Sequence, residues 1–302
     1  MQKIKMGPGG PDFSRLVAGY WRLREWNYST DELLRFVEQC MDLGITTMDH
    51  ADIYGDYTCE ALFGQAISGR SALREKMQIV TKCGIRRQNS QNKPGVSHQH
   101  YDTGSEHIIA SAEESIRNMQ TDYLDVLLIH RPDALMDADE VADAFAKLRH
   151  QGKVRFFGTS NFTPSQFSLL QSRLPFPLVT NQIECSVLHL EPMHDGTLDQ
   201  AQQLKVPPMA WSPFGGGELF TGTSDKTERV RNTLETIGEE TGGYRTDQIA
   251  CAWLLRHPSR ILPVLGTGKI ERIKAAADAT NITLSREQWY RIWSASTGTP
   301  VP

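Results

Sequence analysis

Residues 45–55 read ITTMDHADIYG, residues 77–84 read MQIVTKCG and residues 123–132 read YLDVLLIHRP. Each holds a short apolar run of strand-forming residues. The runs close on polar groups: Asp49 with Tyr54 in the turn beyond it, then Lys82, then His130. A titratable group at the end of an apolar strand is costly to bury without a partner. Four of them, set at three strand ends and one following turn, point to a single shared site. In a parallel barrel the C-terminal strand ends converge on one rim, where active sites sit. A carboxylate, a phenol, an ammonium and an imidazole on that rim amount to a proton donor with its tuning groups, suited to reducing a carbonyl.

Working outward from these runs, strands are expected near residues 16–19, 46–49, 77–81, 124–129, 154–158, 178–182, 208–211 and 261–264. Helix-period segments lie between them. In the first, Leu33, Leu34, Val37, Cys40 and Met41 share one face. Repeated strand-then-helix units predict an α/β protein, a closed (β/α)8 TIM barrel, carried by residues 1–302 as a single domain. The competing layout is an open doubly wound sheet. No GxGxxG follows the first strand, which favours the barrel. A Gly/Pro turn within residues 2–15 predicts an N-terminal β-hairpin on the barrel floor. Residues 83–103 and 212–225 are long insertions after the third and seventh strands. Residues 226–242 and 285–295 predict extra C-terminal helices.

Composition sets the bounds. The chain has 302 residues, 39% hydrophobic and 23% charged, with a net charge of −4. That balance offers no broad basic field for nucleic acid or an anionic membrane. No apolar run reaches the roughly 18 residues needed to span a bilayer. Five scattered cysteines, an odd number without CxxC, argue for a reducing compartment, and a cytoplasmic location is expected. His189, Glu191 and His194 lie close in sequence, as do His98 and His100, but neither group has a ligand pattern, so no metal is expected. The oligomeric state is not legible in the residues.

The chemistry starts with Tyr54. A free phenol has a pKa of about 10 and donates poorly at neutral pH. A neighbouring ammonium, here Lys82, is expected to lower it. Asp49 would hold Lys82 charged and oriented. His130 would bond a carbonyl oxygen and orient the substrate. Together these groups could polarise a C=O and protonate the developing alkoxide. None of them supplies a hydride, so a nicotinamide cofactor is required.

The combination resembles the aldo-keto reductase family over nearly the full chain. The family's DxAxxYG stands here as residues 49–55, its lysine segment as IVTKCG with Lys82, and LLIHRP carries His130. The resemblance implies Tyr54 as general acid, Lys82 and Asp49 as its tuning pair, and His130 as the group that positions a small-molecule carbonyl substrate. Residues 158–162, GTSNF, resemble the family's GxSNF. Ser160 and Asn161, with Gln182, are implied to hold the nicotinamide carboxamide. Trp211 stands where many members carry a stacking Tyr. Ser212, Phe214 and Gly215 open the loop implied to follow the pyrophosphate. Residues 265–272, LGTGKIER, imply that Arg272 meets a 2′-phosphate, with Gly266, Thr267, Gly268 and Lys269 nearby, and hence NADPH/NADP+ as cofactor. Lys269 and Arg272 are expected on one helix face.

Departures from the family pattern matter too. Ala275 and Ala276 stand where many members carry the Glu and Asn that grip adenine. His50 replaces a common Thr, which matters little if its side chain points outward. Trp21 is implied to line the substrate pocket, with Trp26, Tyr57 and Phe162 as further wall. The short C-terminal segment implies an open pocket with broad tolerance for aldehydes and ketones. An alternative reading is a nicotinamide-binding regulatory barrel with little turnover, as in potassium-channel β subunits. A metal-dependent (β/α)8 hydrolase is a more distant option.

Overall fold

The eight expected strands close into one parallel barrel in the computed structural model, which describes residues 1–301. In chain order they are Val17–Gly19, Thr47–Asp49, Gln78–Cys83, Leu124–Ile129, Val154–Ser160, Asn181–Glu184, Met209–Trp211 and Leu262–Leu265. Each pairs in parallel with its neighbours in sequence, and the eighth pairs with the first through Val264 and Val17. The sixth strand starts later than the sequence suggests. Residues 178–180 lie outside the assigned strand, although Val179 N donates to Phe157 O at 2.8 Å and Thr180 O accepts from Thr159 N at 3.0 Å, while Thr180 Oγ1 donates to Pro207 O at 2.9 Å.

The barrel interior is apolar. Val17, Val80, Val126, Leu128, Val179, Met209, Leu262 and Val264 form its cluster. Ile4, Met6 and Phe13 belong to the same cluster and come from the N-terminal hairpin, Lys3–Lys5 paired with Asp12–Ser14. The hairpin therefore plugs the floor, as expected. Its attachment is polar: Ser14 Oγ accepts the backbone N–H of both Thr46 and Thr47 at 3.1 Å. Arg15 donates to the backbone carbonyls of Ile261 and Leu255. Because the floor is filled, the open end of the barrel is the rim where the strands finish.

Helices follow from amphipathic sequence and explicit caps. Thr30–Asp42 begins at a capping box between Ser29 and Glu32 and buries Leu33, Leu34, Phe36, Val37 and Cys40. Two helices lie outside the eight units, Asp225–Glu240 and Arg286–Thr297. The second is fixed by Trp289, which stacks on Trp253 at 4.8 Å while each indole N–H bonds the other's backbone carbonyl. The insertion after the third strand is not featureless: Ile85–Arg86 and His100–Tyr101 form a short antiparallel ladder.

His50 does face outward from the barrel, yet it is fully buried. It stacks on Tyr20 at 4.5 Å and lies 4.4 Å from Phe63, with no partner for either ring nitrogen. Burial and the Lys82 charge hold its imidazole well below the usual range, so it packs as a neutral aromatic.

Glu60 is buried beneath the same helix layer. Oε1 accepts from Thr81 Oγ1 at 2.5 Å, and Oε2 has no partner. Burial pushes its carboxyl up to about 7, against the bonds from Thr81 and Ser115. Neighbouring Asp52 is pushed well up by burial and by Glu60. The folded state thus holds a proton that the unfolded chain has released, so stability falls as pH rises from about 4.5 through about 7. Glu60→Gln removes that loss. The Tm of the variant minus that of the parent is expected to grow between pH 5 and pH 8. A difference independent of pH would exclude a buried proton at this site.

Candidate active site

The rim brings the four groups singled out by the sequence into one cluster. Asp49 ends the second strand and Lys82 lies near the end of the third. Lys82 Nζ is 2.9 Å from both Asp49 oxygens, 2.6 Å from His50 O and 3.2 Å from Tyr54 Oη. Lys82 is fully buried and Asp49 is 3% exposed, so water contributes little to either charge. Gln182 Nε2 donates to Asp49 Oδ1 at 2.8 Å from across the barrel. Tyr54 reaches the cluster because the chain turns back after Asp49: Asp52 N bonds Lys82 O at 3.0 Å and Tyr54 N bonds Ala51 O at 3.2 Å. His130 follows the fourth strand, and its ring meets that of Tyr54 edge to face at 5.9 Å.

Burial decides the electrostatics, and it corrects one expectation. Lys82 does pull the Tyr54 phenol down, as does Arg131, but burial outweighs them and Asp49 adds to it, so the phenol lies above its ordinary value. A phenolate loses too much hydration in this site for one nearby ammonium to compensate. Tyr54 therefore keeps its proton at neutral pH. Burial opposes the Lys82 ammonium, yet Asp49 and Tyr54 more than offset it and hold the pKa above the ordinary value. Burial raises Asp49 against the pull of Lys82. Burial, Lys82 and Arg131 together hold His130 well below the imidazole range, so it is neutral. Its Nδ1 is buried without a partner, which leaves Nε2 as the ring nitrogen free to meet a ligand.

From this cluster a cleft of about 690 Å³ runs across the rim. Trp21, Ser160, Asn161, Gln182, Trp211, Ser212, Phe214, Gly266, Thr267 and Arg272 line it. Ser160 Oγ donates to Gln182 O at 2.9 Å. Asn161 Nδ2 donates to His130 O at 3.2 Å, and Trp211 Nε1 donates to Asn161 Oδ1 at 2.9 Å. Asn161 and Ser212 both hold left-handed backbone, φ 61° and 49°. Such strain in non-glycine residues concentrates at ligand sites. Gly216 and Gly217 also line the cleft at φ 65° and 109°, and Arg22 Nη2 ties across the mouth to Gly216 O at 3.1 Å.

Several expectations need correction. A Cβ at Gly215 would stand 2.9 Å from Leu188. Gly268 is pressed against the Trp26 ring, where a Cβ would stand 2.6 Å away. Lys269 stands at the N-cap of helix Ile270–Ala279 and is exposed, while Arg272 joins the lining of the cleft. Trp26, Tyr57 and Phe162 are not wall residues either. Trp26 packs between Tyr20 and Phe36, Tyr57 bonds Ile85 O and Arg87 N, and Phe162 is 2% exposed in the core. Trp21 is more open than a pocket wall suggests, at 55% exposure on the mouth.

Sequence reasoning passed over Arg131, Ile85, Phe220 and the segment Arg245, Thr246 and Asp247, all of which line the cleft. Arg131 was within sight, adjacent to His130 in HRP. The other three depend on how the insertions fold back.

The ion pair makes a stability prediction. Lys82→Met leaves the Asp49 carboxylate buried and uncompensated, at a cost of about 3–5 kcal/mol. Removing both charges in Lys82→Met/Asp49→Leu should cost less than the single change. Urea unfolding of the three proteins reads the difference; equal losses in the single and double variants would show that the pair is not coupled.

A family model described as Aldo/keto reductase family matches residues 15–297. The chain is 54% identical over 303 residues to Oxidoreductase YdhF of Escherichia coli (strain K12), covering 100% of both chains. It is 46% identical to a 6-dehydroglucose reductase of Agrobacterium fabrum, covering 96% of each. A crystal structure of the thermostable aldo-keto reductase Tm1743 with the inhibitor epalrestat superposes with a TM-score of 0.82 at 28% identity, covering 98% of this chain and 100% of that one.

Proposed function

The chain belongs to the aldo-keto reductase family of oxidoreductases, and from that premise we propose that it is an NADPH-dependent carbonyl reductase working as a single barrel domain. Members of the family generally use NAD(P)H and act on small carbonyl compounds. The observation that carries the proposal is the 3.2 Å contact between Lys82 Nζ and Tyr54 Oη at the inner end of the cleft. It sets a protonated phenol where a carbonyl oxygen would meet it, with neutral His130 beside it.

The cleft is suited to a nicotinamide dinucleotide. The face of Trp211 is braced at one end of it, the backbone of Gly216 and Gly217 allows close approach along it, and Gly266 leaves open space beside Thr267 and Arg272 at the other end. When bound, NADPH supplies the hydride to the carbonyl carbon. Ser160, Asn161 and Gln182 hold the carboxamide and so select the ring face. Ser212 and Phe214 follow the pyrophosphate. Arg272, with Thr267, meets the 2′-phosphate. His130 donates to the carbonyl oxygen and orients it. Tyr54 hands its proton to the developing alkoxide, and the adjacent Lys82 charge eases that transfer by stabilising the phenolate left behind. Asp49 keeps Lys82 charged and aimed. Gly215 belongs to the loop that would follow the pyrophosphate, and Gly268 and Lys269 adjoin Thr267 on the side of the 2′-phosphate.

The names of the 6-dehydroglucose reductases among the relatives support an aldehyde as the reacting group. The exposed Trp21 and the open mouth support broad tolerance. Five buried free cysteines favour a reducing compartment, in keeping with a cytoplasmic enzyme. Among the described residues, no helix is long and apolar enough to cross a membrane.

Tyr54→Phe is expected to lower kcat by roughly 10²–10⁴-fold in NADPH-dependent aldehyde reduction, as loss of a general acid does. NADPH affinity, read by quenching of protein fluorescence, should stay nearly constant. Near-parental turnover would remove Tyr54 from the acid role, and tight NADPH binding by a parent without turnover on any carbonyl would favour a regulatory barrel instead. Arg272→Ala is expected to weaken NADPH by about 10-fold or more and NADH little, since only the former offers a phosphate to a guanidinium. Equal loss for both cofactors would place the 2′-phosphate elsewhere.

A further inference from the structure

Two arginines of the cleft, Arg131 and Arg272, make no side-chain hydrogen bond or ion pair among the described residues. They stand at opposite ends. Arg272, beside Gly266 and Thr267, has a role in the reading above. Arg131 has none: it follows His130 directly, and its guanidinium lies 5.5 Å from the centre of the Trp211 ring. It is half-buried, and its charge reaches both the Tyr54 phenol and the His130 imidazole.

The acids that line the cleft are engaged. Asp49 and Asp247 are the only carboxylates that line the cleft among the described residues. Asp49 is held by Lys82 and Gln182, and Asp247 pairs with Arg245. Asp133, two residues on from Arg131, accepts from Thr103 Oγ1 at 2.9 Å and from Leu135 N at 2.8 Å. Arg22, the remaining arginine of the lining, spends a donor on Gly216 O. The catalytic end of the cleft therefore carries a guanidinium with no ion-pair partner among the described residues, next to the groups that would receive the carbonyl. A guanidinium fork matches a carboxylate or phosphate in two parallel bonds and is over-represented where such groups are recognised.

We propose that Arg131 is a specificity-determining residue that binds an anionic group carried by the carbonyl substrate, so that the preferred substrates are aldehydes bearing a carboxylate or a phosphate. The inference rests on the carbonyl-reductase reading. It adds a second anchor: His130 and Tyr54 take the carbonyl oxygen while Arg131 takes the far end of the molecule. Partial burial strengthens the charge-assisted bonds relative to water.

The test compares matched pairs at saturating NADPH: succinic semialdehyde against butanal, and glyceraldehyde 3-phosphate against glyceraldehyde. The parent is expected to favour the charged member by about 10- to 100-fold in kcat/KM, the size of a lost charged hydrogen-bond pair. Arg131→Met keeps the length of the stem and should bring that ratio near unity, with the loss falling on KM. Arg131→Lys should restore part of it, and serves in place of the Met variant should the latter fail to fold. The first pair showing the preference alone assigns a carboxylate, the second alone a phosphate. Equal kcat/KM within both parental pairs, an equal loss for charged and neutral members in Arg131→Met, or a parallel weakening of NADPH would overturn the assignment. Calorimetric titration of succinate against succinamide into the NADP+-saturated protein separates the two readings. Succinate binding that Arg131→Met abolishes, in a protein that reduces none of the four aldehydes, keeps the anion subsite and discards the reductase.

Discussion

A fully buried ammonium beside a nearly buried carboxylate is the constraint on which the site depends. Lys82 and Asp49 lie within 2.9 Å at the barrel rim, and neither could be kept there alone. Their pairing fixes what surrounds it. The third donor of Lys82 is drawn to His50 O and Tyr54 Oη, which obliges the chain after the second strand to turn inward and bring the phenol back over the barrel. Gln182 satisfies another lone pair of Asp49 from the opposite wall, so the charge cluster also holds the sixth strand to the second. A plugged floor complements this arrangement. With Ile4, Met6 and Phe13 filling the lower end, the rim is the face on which a ligand can reach the cluster.

The buried pair also explains why the phenol behaves differently from a simple charge argument. An ammonium next to a phenol would make it more acidic in water. Here the same ammonium is already neutralised by Asp49, and the phenol sits in a space with little water. The result is a proton held in the resting state; on the proposed reading it passes only to a stronger, nearby base, such as an alkoxide forming at hydrogen-bond distance. His130, kept neutral by the same burial and the same positive neighbours, can donate to an oxygen without adding charge of its own.

Much of this was legible in the sequence, and for identifiable reasons. Strand ends in residues 45–55, 77–84 and 123–132 carry their polar residues at the place where a parallel barrel turns them toward one rim, so Asp49, Tyr54, Lys82 and His130 could be read as one cluster. The eight-unit alternation and the floor hairpin followed from hydrophobic period and turn residues. What could not be read was direction after irregular backbone. Asn161 takes a left-handed φ, and the next side chain, Phe162, is sent into the core instead of the cleft. Gly268 looks like a phosphate glycine in LGTGKIER, but it is small because Trp26 presses on it. Arg245 to Asp247 follow helix Asp225–Glu240, where no local pattern marks a cleft lining. Nor can composition weigh burial against charge, which is why the phenol's acidity was expected in the wrong direction.

One bond of the rim has a wider consequence. Where a tyrosine would offer only a ring and a hydroxyl, Trp211 uses its indole N–H to grasp Asn161 Oδ1, joining the ends of the fifth and seventh strands. The flat surface is thereby immobilised as part of folding, before any guest arrives. A rotor that would otherwise have to be frozen on association is already still, so less entropy is lost when an aromatic partner settles on it. The left-handed turn at Asn161 is held by the same contact. Trp211 and Asn161 are, in this molecule, a single braced unit.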